Sequence, residues 1–291
     1  MLYQLLISGV MTGCVYALVA IGFVVIYKAS KVLNLAQGEL VLIGPYLCIT
    51  LISEVRLPYF WAFIVTLILC FFVGLVIERL FIRPLIGEPI LSVIMITIGI
   101  SSLIKGIAFI FWGGSTKVFP QVFCFAPYAC GDIVIPRTPF WSSFISILLV
   151  VAISLLFKKT MVGLSMRSVA SDQQAAQSMG VSVRKVFALS WGIAAFVSGL
   201  GGIIIGNMNG VREDISHFGL KVLSVVIFGG LDSLLGALIG GITVGVLENL
   251  TGGYIDMYLE GIKDVAPFIF LVLVLMARPY GLFGVKEIER L

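Results

Sequence analysis

Charge is what this sequence has least of. Only 12% of its 291 residues are charged, 19 Lys and Arg against 15 Asp and Glu, while 60% are hydrophobic. Soluble domains carry about 25% charged residues. The deficit excludes a soluble enzyme or a nucleic-acid binder, and the apolar excess excludes a disordered chain. Histidine occurs once, at His217, with no zinc-type cluster around it. No G-x-x-x-x-G-K-[ST] stretch is present, so the chain carries no P-loop and binds no ATP in that way. No grouping of nucleophile, base and orienting residue is found either, so the reading is of a chain that is not itself an enzyme and holds no cofactor or metal. No basic residue precedes Lys28, so a signal peptide's charged start is missing and 2–27 reads as a retained first helix. Alternating runs are absent too, which argues against a β-barrel. What is present is continuous apolar sequence, and the fold class expected is all-α: a polytopic transmembrane helical bundle.

A membrane crossing takes roughly 20 apolar residues. Apolar stretches fall near 2–27, 39–53, 58–78, 90–112, 139–157, 186–208, 219–231, 234–250 and 262–277, giving eight or nine spans in a single domain over 1–291. The stretches 39–53 and 219–231 are short, as tilted, broken or re-entrant helices are. Loops 28–38, 79–89, 158–185 and 278–291 hold 12 of the Lys and Arg residues, and the alternate loops hold five. That asymmetry places the first set in the cytoplasm, with the N-terminus outside and the C-terminus inside.

Two connections exceed turns. The external one, 113–138, carries Cys124 and Cys130 among several prolines. A disulfide in an oxidising compartment and a pair of unlinked thiols are both open readings. Cys14, Cys48 and Cys70 sit in apolar stretches as small hydrophobes. The internal connection, 158–185, contains Ser171-Asp172-Gln173-Gln174, which fits an S-x-x-Q capping box led by Ser171. Ala175, Ala176 and Met179 follow at helical spacing, and Gly180 stands where a left-handed cap belongs. These predict a helix of about two turns, either resting on the headgroups or docking through its alanines into a partner's groove.

The ionisable residues Glu39, Glu78, Glu248, Lys105, Asp232 and Lys221 lie mostly near span ends, with Lys105 deepest and able to reach outward. This weighs against an ion-coupled carrier, which places such groups well inside its spans. Glycines four apart (Gly9 and Gly13, Gly202 and Gly206, Gly236 and Gly240, Gly241 and Gly245) permit close helix contact. Internal packing explains them as well as dimerisation does. Asn34-Leu35-Ala36-Gln37-Gly38-Glu39 interrupts the apolar run between the first two spans. Glu39 is either a helix-start acid favoured by the macrodipole or part of a broken-helix site lining a pathway.

Four segments carry a family resemblance. N-L-A-Q-G-E at 34–39 resembles the N-F-A-H-G-E stretch of LivH-type permeases from branched-chain amino-acid ABC importers. A-S-D-Q-Q-A-A-Q-S-M-G-V at 170–181 is similar to their A-x-D-x-x-A-A-x-x-M-G-I. L-K-V-L-S-V-V-I-F-G-G-L-D-S-L-L-G-A at 220–237 resembles their L-K-A-F…G-G-L-G-S-x-x-G-A, and R-P-Y-G-L-F-G at 278–284 their closing R-P-x-G-L-F-G. Gln37 stands in place of the family's His, and Asp232 in place of a Gly. The resemblance implies a type II-like permease in the inner membrane of a bacterium, translocating branched-chain or related amino acids. An ABC permease for another small polar solute (an amide, urea, an aromatic acid or a sugar) is the alternative it leaves. The implied partners, beside the bilayer and with no nucleic acid, are a second permease like or unlike this one, two cytoplasmic ATPases that use the ATP, and a periplasmic substrate-binding protein. It further implies a substrate pathway near Asn34, Gln37, Gly38, Glu39, Gly229, Gly230 and Asp232. ATPase coupling would run through Ser171, Asp172, Ala175, Ala176, Met179 and Gly180.

Overall fold

The computed structural model describes residues 2–120, 127–130 and 133–284. These described residues form eleven α-helices in order: α1 (Leu2–Ser30), α2 (Gln37–Ser53), α3 (Tyr59–Ile77), α4 (Ile90–Trp112), α5 (Arg137–Lys159), α6 (Met161–Ser171), α7 (Gln173–Ser178), α8 (Val183–Asn209), α9 (Phe218–Gly229), α10 (Leu234–Tyr254) and α11 (Ile262–Ala277). Among the described residues, six stretches are long and apolar enough to cross a membrane: α1, α3 with its extension to Leu85, α4, α5, α8 and α10. Each of the nine apolar stretches in the sequence coincides with a helix. The two residues between the stretches 219–231 and 234–250, Asp232 and Ser233, lie in a true break, because α9 ends at Gly229 and α10 begins at Leu234.

The sequence pattern gave no reason to expect strands. A two-stranded antiparallel hairpin nevertheless stands in the 113–138 loop, β1 (Tyr128–Cys130) on β2 (Ile133–Ile135), with Tyr128 opposite Ile135. Arg137 lies 4.6 Å from the Tyr128 ring centre and Phe140 packs edge-on against it, tying the hairpin to the start of α5. Cys124 and the side chain of Cys130 lie outside the described residues.

The chain forms two compact units. One comprises Met1–Val24, Phe125–Val150 and Lys221–Leu291; the other comprises Val25–Cys124 and Val151–Leu220. In the first, the α1 pair Gly9 and Gly13 meets the α10 pair Gly241 and Gly245. A Cβ on Gly13 would lie 2.6 Å from the Gly241 carbonyl oxygen, and one on Gly245 2.5 Å from the Gly13 backbone. These glycines serve close helix packing within the chain.

In the second unit α2, α3 and α8 form the centre. Pro45 lies inside α2 and has no N–H, so the Val41 carbonyl loses its helical partner. α8 closes on that spot through Gly202, where a Cβ would collide with Val41 O and stand 2.8 Å from Pro45 Cδ. Gly106 in α4 has open space around its Cβ position. Gly202→Ala is therefore expected to cost about 1–3 kcal/mol by overpacking, whereas Gly106→Ala should be neutral or slightly stabilising, since Ala is the better helix former. Thermal unfolding midpoints of the two purified variants test this; equal midpoints would remove the packing argument.

Outward faces are apolar. Phe60, Trp61, Phe72, Leu91, Met95, Ile110 and Phe111 are all exposed on α3 and α4, the arrangement that hydrocarbon accepts and water does not. α3 continues as a π turn, Glu78–Ile82, and a 3-10 turn, Arg83–Leu85. Glu78 is fully buried there and paired with Arg83 at 3.0 Å.

Candidate functional site

The break between α1 and α2 is built from short polar side chains. Lys31 turns the chain through the left-handed region at φ 57°, and α2 starts only at Gln37. Backbone groups freed by such a break need partners that lipid does not offer. Asn34 Oδ1 accepts the Ala36 N–H at 3.0 Å, and Thr97 Oγ1 of α4 accepts the Leu35 N–H at 3.3 Å. The Asn34 amide then donates to Gln37 Oε1 at 3.0 Å, and the Gln37 amide donates to Ser198 Oγ of α8 at 2.5 Å. Asn34, Gln37 and Glu39 are all at least nine-tenths buried. Gly38 lets α2 approach the 213–219 segment, because a Cβ would strike the Ser216 carbonyl oxygen.

Glu39 stands in the first turn of α2, where a helix-start acid belongs, and it also reaches across to α4. Its Oε1 lies 3.3 Å from Lys105 Nζ of α4, while Oε2 is buried without a hydrogen-bond partner. Lys105 turns inward to this carboxylate, a correction to the outward reach inferred from its depth alone. Asn34, Gln37, Gly38 and Glu39 thus form one cluster with Thr97, Lys105 and Ser198, all inside one unit.

The 229–233 turn belongs to the other unit. Gly230 adopts φ 99° and donates its N–H to Val226 O at 2.9 Å. The closing segment 278–284 covers it: the Leu282 and Phe283 amides donate to Phe228 O at 2.9 Å and Gly229 O at 3.2 Å. A Cβ on Gly230 would lie 2.5 Å from Gly284 N, and one on Gly229 would collide with the Gly236 carbonyl. Ser233 caps α10 by accepting the Gly236 N–H at 2.9 Å. The two glycines are explained by this backbone packing. Asp232 follows in the same turn, half-buried.

The same unit holds a polar cluster that sequence reading missed. Lys221 Nζ of α9 reaches Glu248 Oε1 of α10 at 2.8 Å and Asp264 Oδ1 of α11 at 2.6 Å. The Tyr16 hydroxyl of α1 donates to Glu248 Oε2. Only the presence of Lys221 and Glu248 in apolar stretches hinted at this. Among the described residues, no cluster of three or more His, Cys, Asp or Glu side chains could hold a metal ion.

The 158–185 connection is an elbow of two helices. α6 starts at a Thr160 cap, its Oγ1 accepting the Gly163 N–H at 3.3 Å, and runs through Ser171. The predicted Ser171 cap is therefore wrong: Ser171 Oγ donates back to Arg167 O at 3.0 Å. Asp172 caps α7 instead, accepting the Gln174 and Ala175 N–H groups at 2.8 and 2.9 Å. Asp172→Ala should cost α7 about 0.5–2 kcal/mol, with Ser171→Ala close to silent. Amide exchange over 173–178 checks this; a greater effect from Ser171→Ala would restore the original assignment.

α7 spans six residues and ends on Gly180 at φ 85°. The Gly180 and Val181 amides donate to Gln177 O and Ala176 O, both at 2.9 Å, the Schellman pattern. Ala176 is buried within the chain, whereas Ala175 is exposed and Met179 is 84% exposed. Met161 and Leu164 of α6 are exposed as well. The exposed apolar side chains of the elbow are thus Met161, Val162 and Leu164 on α6 and Ala175 and Met179 on and just after α7.

A family model described as the permease component of branched-chain amino acid transport systems matches residues 5–277. Among curated relatives, the high-affinity branched-chain amino acid transport permease BraD of Pseudomonas aeruginosa is 29% identical, covering 99% of this chain and 97% of its own. LivH of Salmonella typhimurium is 28% identical over the same shares. A probable LivH of Methanocaldococcus jannaschii is 28% identical over 94% of this chain and 90% of its own.

Proposed function

This chain belongs to the family of branched-chain amino acid transport permeases, and from that premise we propose how its parts divide the work. It is the membrane-spanning permease component of an ABC transport system, and ATP is consumed by ATPase partners rather than by this chain. In our reading it pairs with a second permease, receives its solute from a periplasmic binding protein and sits in the cytoplasmic membrane. The N-terminus faces out, and the α6–α7 elbow and the C-terminus face in.

Transport proceeds by alternating access. ATP-driven closure of the ATPase pair moves the elbow as a rigid body, which shifts the permease between outward- and inward-open arrangements. The solute passes the 34–39 break and the 229–233 turn. The observation supporting the coupling assignment is the elbow itself: a capped, Schellman-terminated helix pair with Met161, Leu164, Ala175 and Met179 turned outward. An apolar patch on a charge-rich connection is what a groove in a soluble partner would cover.

The test is assembly and uptake. ATPase subunits should co-purify with the chain, and vesicles holding the assembly should accumulate leucine, isoleucine or valine only with ATP and binding protein. Uptake by the chain alone, driven by an ion gradient, would make it a secondary carrier instead. Met179→Asp should weaken ATPase association by ~2 kcal/mol, the size of an interface hot spot, while membrane insertion persists. Unaltered co-purification of Met179→Asp and of Ala175→Asp would sink the docking face. Ala176 is a poor probe, since a larger side chain there disturbs the chain's own packing.

A further inference from the structure

The unit that holds the 34–39 break also contains a cavity of about 270 Å³. Its walls come from the end of α1, the break, the 82–88 turn and the starts of α4, α7 and α8. Beyond Asn34, which the transport reading sets beside the route, that reading gives the residues lining this space no role. Three properties define what fits it.

First, its interior is apolar: Ile26, Ile82 and Phe187 line it and are each buried, and Val93 adds a further aliphatic wall. Second, polar groups are present but none is basic. Glu88 and Gln173 lie on the wall, and neither side chain is engaged in a hydrogen bond or ion pair among the described residues. Asn34 and Thr97 line it from the break, and Trp191, whose buried indole N–H has no partner, lines it from α8. Third, the absence of Lys and Arg from the lining excludes phosphates and nucleotides, which require compensating positive charge. A carboxylate at an exposed position, above aliphatic walls, selects a cationic head on an aliphatic body. The Gln173 amide can serve a neighbouring carboxylate group.

We propose that this cavity is a second solute site, facing the cytoplasm, for a small zwitterionic aliphatic amino acid whose ammonium group is held by Glu88. The proposal rests on the transport reading for the identity of the solute and for the cytoplasmic side, where Lys28, Lys31 and Arg83 belong to the segments that form the walls without themselves lining the cavity. An occupant touches Gln173, the first residue of α7, and Val32 and Asn34 of the break at once. It favours whichever arrangement of elbow and break forms the cavity, and so slows turnover as solute accumulates inside. A ligand shifts such an equilibrium only by its differential affinity for the two arrangements, and an inhibition of five- to tenfold needs about 1–1.4 kcal/mol.

Two measurements test it. In vesicles of the full assembly, initial leucine uptake is compared with and without leucine loaded inside. The loaded-to-empty ratio should fall several-fold, isovalerate and isoamylamine should each fail to reproduce the fall, and Glu88→Gln should demand about tenfold more internal leucine. In the purified chain, Gln173→Cys should be labelled by a maleimide more slowly in leucine than in buffer, read on the 173-containing peptide. Equal inhibition in wild type and Glu88→Gln, or labelling slowed by lipid but not by leucine, overturns the site while leaving transport intact. Vesicles that take up no branched-chain amino acid refute the transport reading; the labelling result then decides the cavity separately.

Discussion

Lys221→Met is expected to lower the thermal midpoint of the purified protein sharply and to reduce the yield of folded protein from membranes. Lys221 is 20% exposed and Glu248 12% exposed, and the ammonium group is bonded to both Glu248 and the more exposed Asp264. Ordinary polar contacts between membrane helices are worth only about 0.6 kcal/mol on average. An orphaned charge inside a span is a different matter, at about 2.5–3.5 kcal/mol on insertion scales. The second effect wins here, because removing Lys221 leaves Glu248 with a tyrosine hydroxyl and no cation. The double variant Lys221→Met with Glu248→Gln should recover most of the loss, since the uncompensated charge is gone. A single variant as stable as wild type, or a double variant no better than the single, would show that the cluster fastens nothing. Because Tyr16, Lys221, Glu248 and Asp264 come from four helices of one unit, the loss should appear as a cooperative fall rather than local fraying.

Sequence patterns made the helices legible for a direct reason: each span must satisfy its own backbone and face hydrocarbon, so apolar length is itself the signal. Partners within one helical turn were legible too. Asn34 and Gln37 are three residues apart, and the polar interruption at 34–39 marked the break that they close. What could not be read were the partners that tertiary packing supplies. Ser198 is 161 residues from Gln37, and Thr97 is 62 from Leu35, with nothing in the local pattern to single either out. The misassigned cap has a similar origin. Ser171 and Asp172 both cap helices well, and the choice was made by α6, which Thr160 starts early enough to absorb Ser171. The paired alanines were separated for the same reason: α7 turns Ala176 inward, so only Ala175 shares the outward face with Met179.

Lys105→Met should be more damaging than Glu39→Gln, although both remove the same ion pair. Glu39 is 3% exposed and has one carboxylate oxygen with no hydrogen-bond partner, so loss of Lys105 leaves a buried anion without a counter-charge. The Lys105 side chain is 35% exposed, and without Glu39 its long stem can carry the ammonium toward water. The expected cost of Lys105→Met is about 2.5–3.5 kcal/mol, against roughly 1 kcal/mol or less for Glu39→Gln, whose neutral amide keeps a hydrogen bond in reach. That asymmetry reports on stability alone. Function is read separately, as the maximal uptake rate with the binding protein saturating, on preparations of Glu39→Gln and Gln37→Ala that match wild type in folded fraction. If the 34–39 break shapes the route, both variants should transport several-fold more slowly per folded molecule, with the thermal midpoint of Glu39→Gln close to wild type and that of Gln37→Ala lowered by the loss of its two buried hydrogen bonds. A full wild-type rate in both would reduce Asn34, Gln37 and Glu39 to the scaffolding of a helix break, their polar atoms present only because the backbone of residues 31–36 has no water to bind.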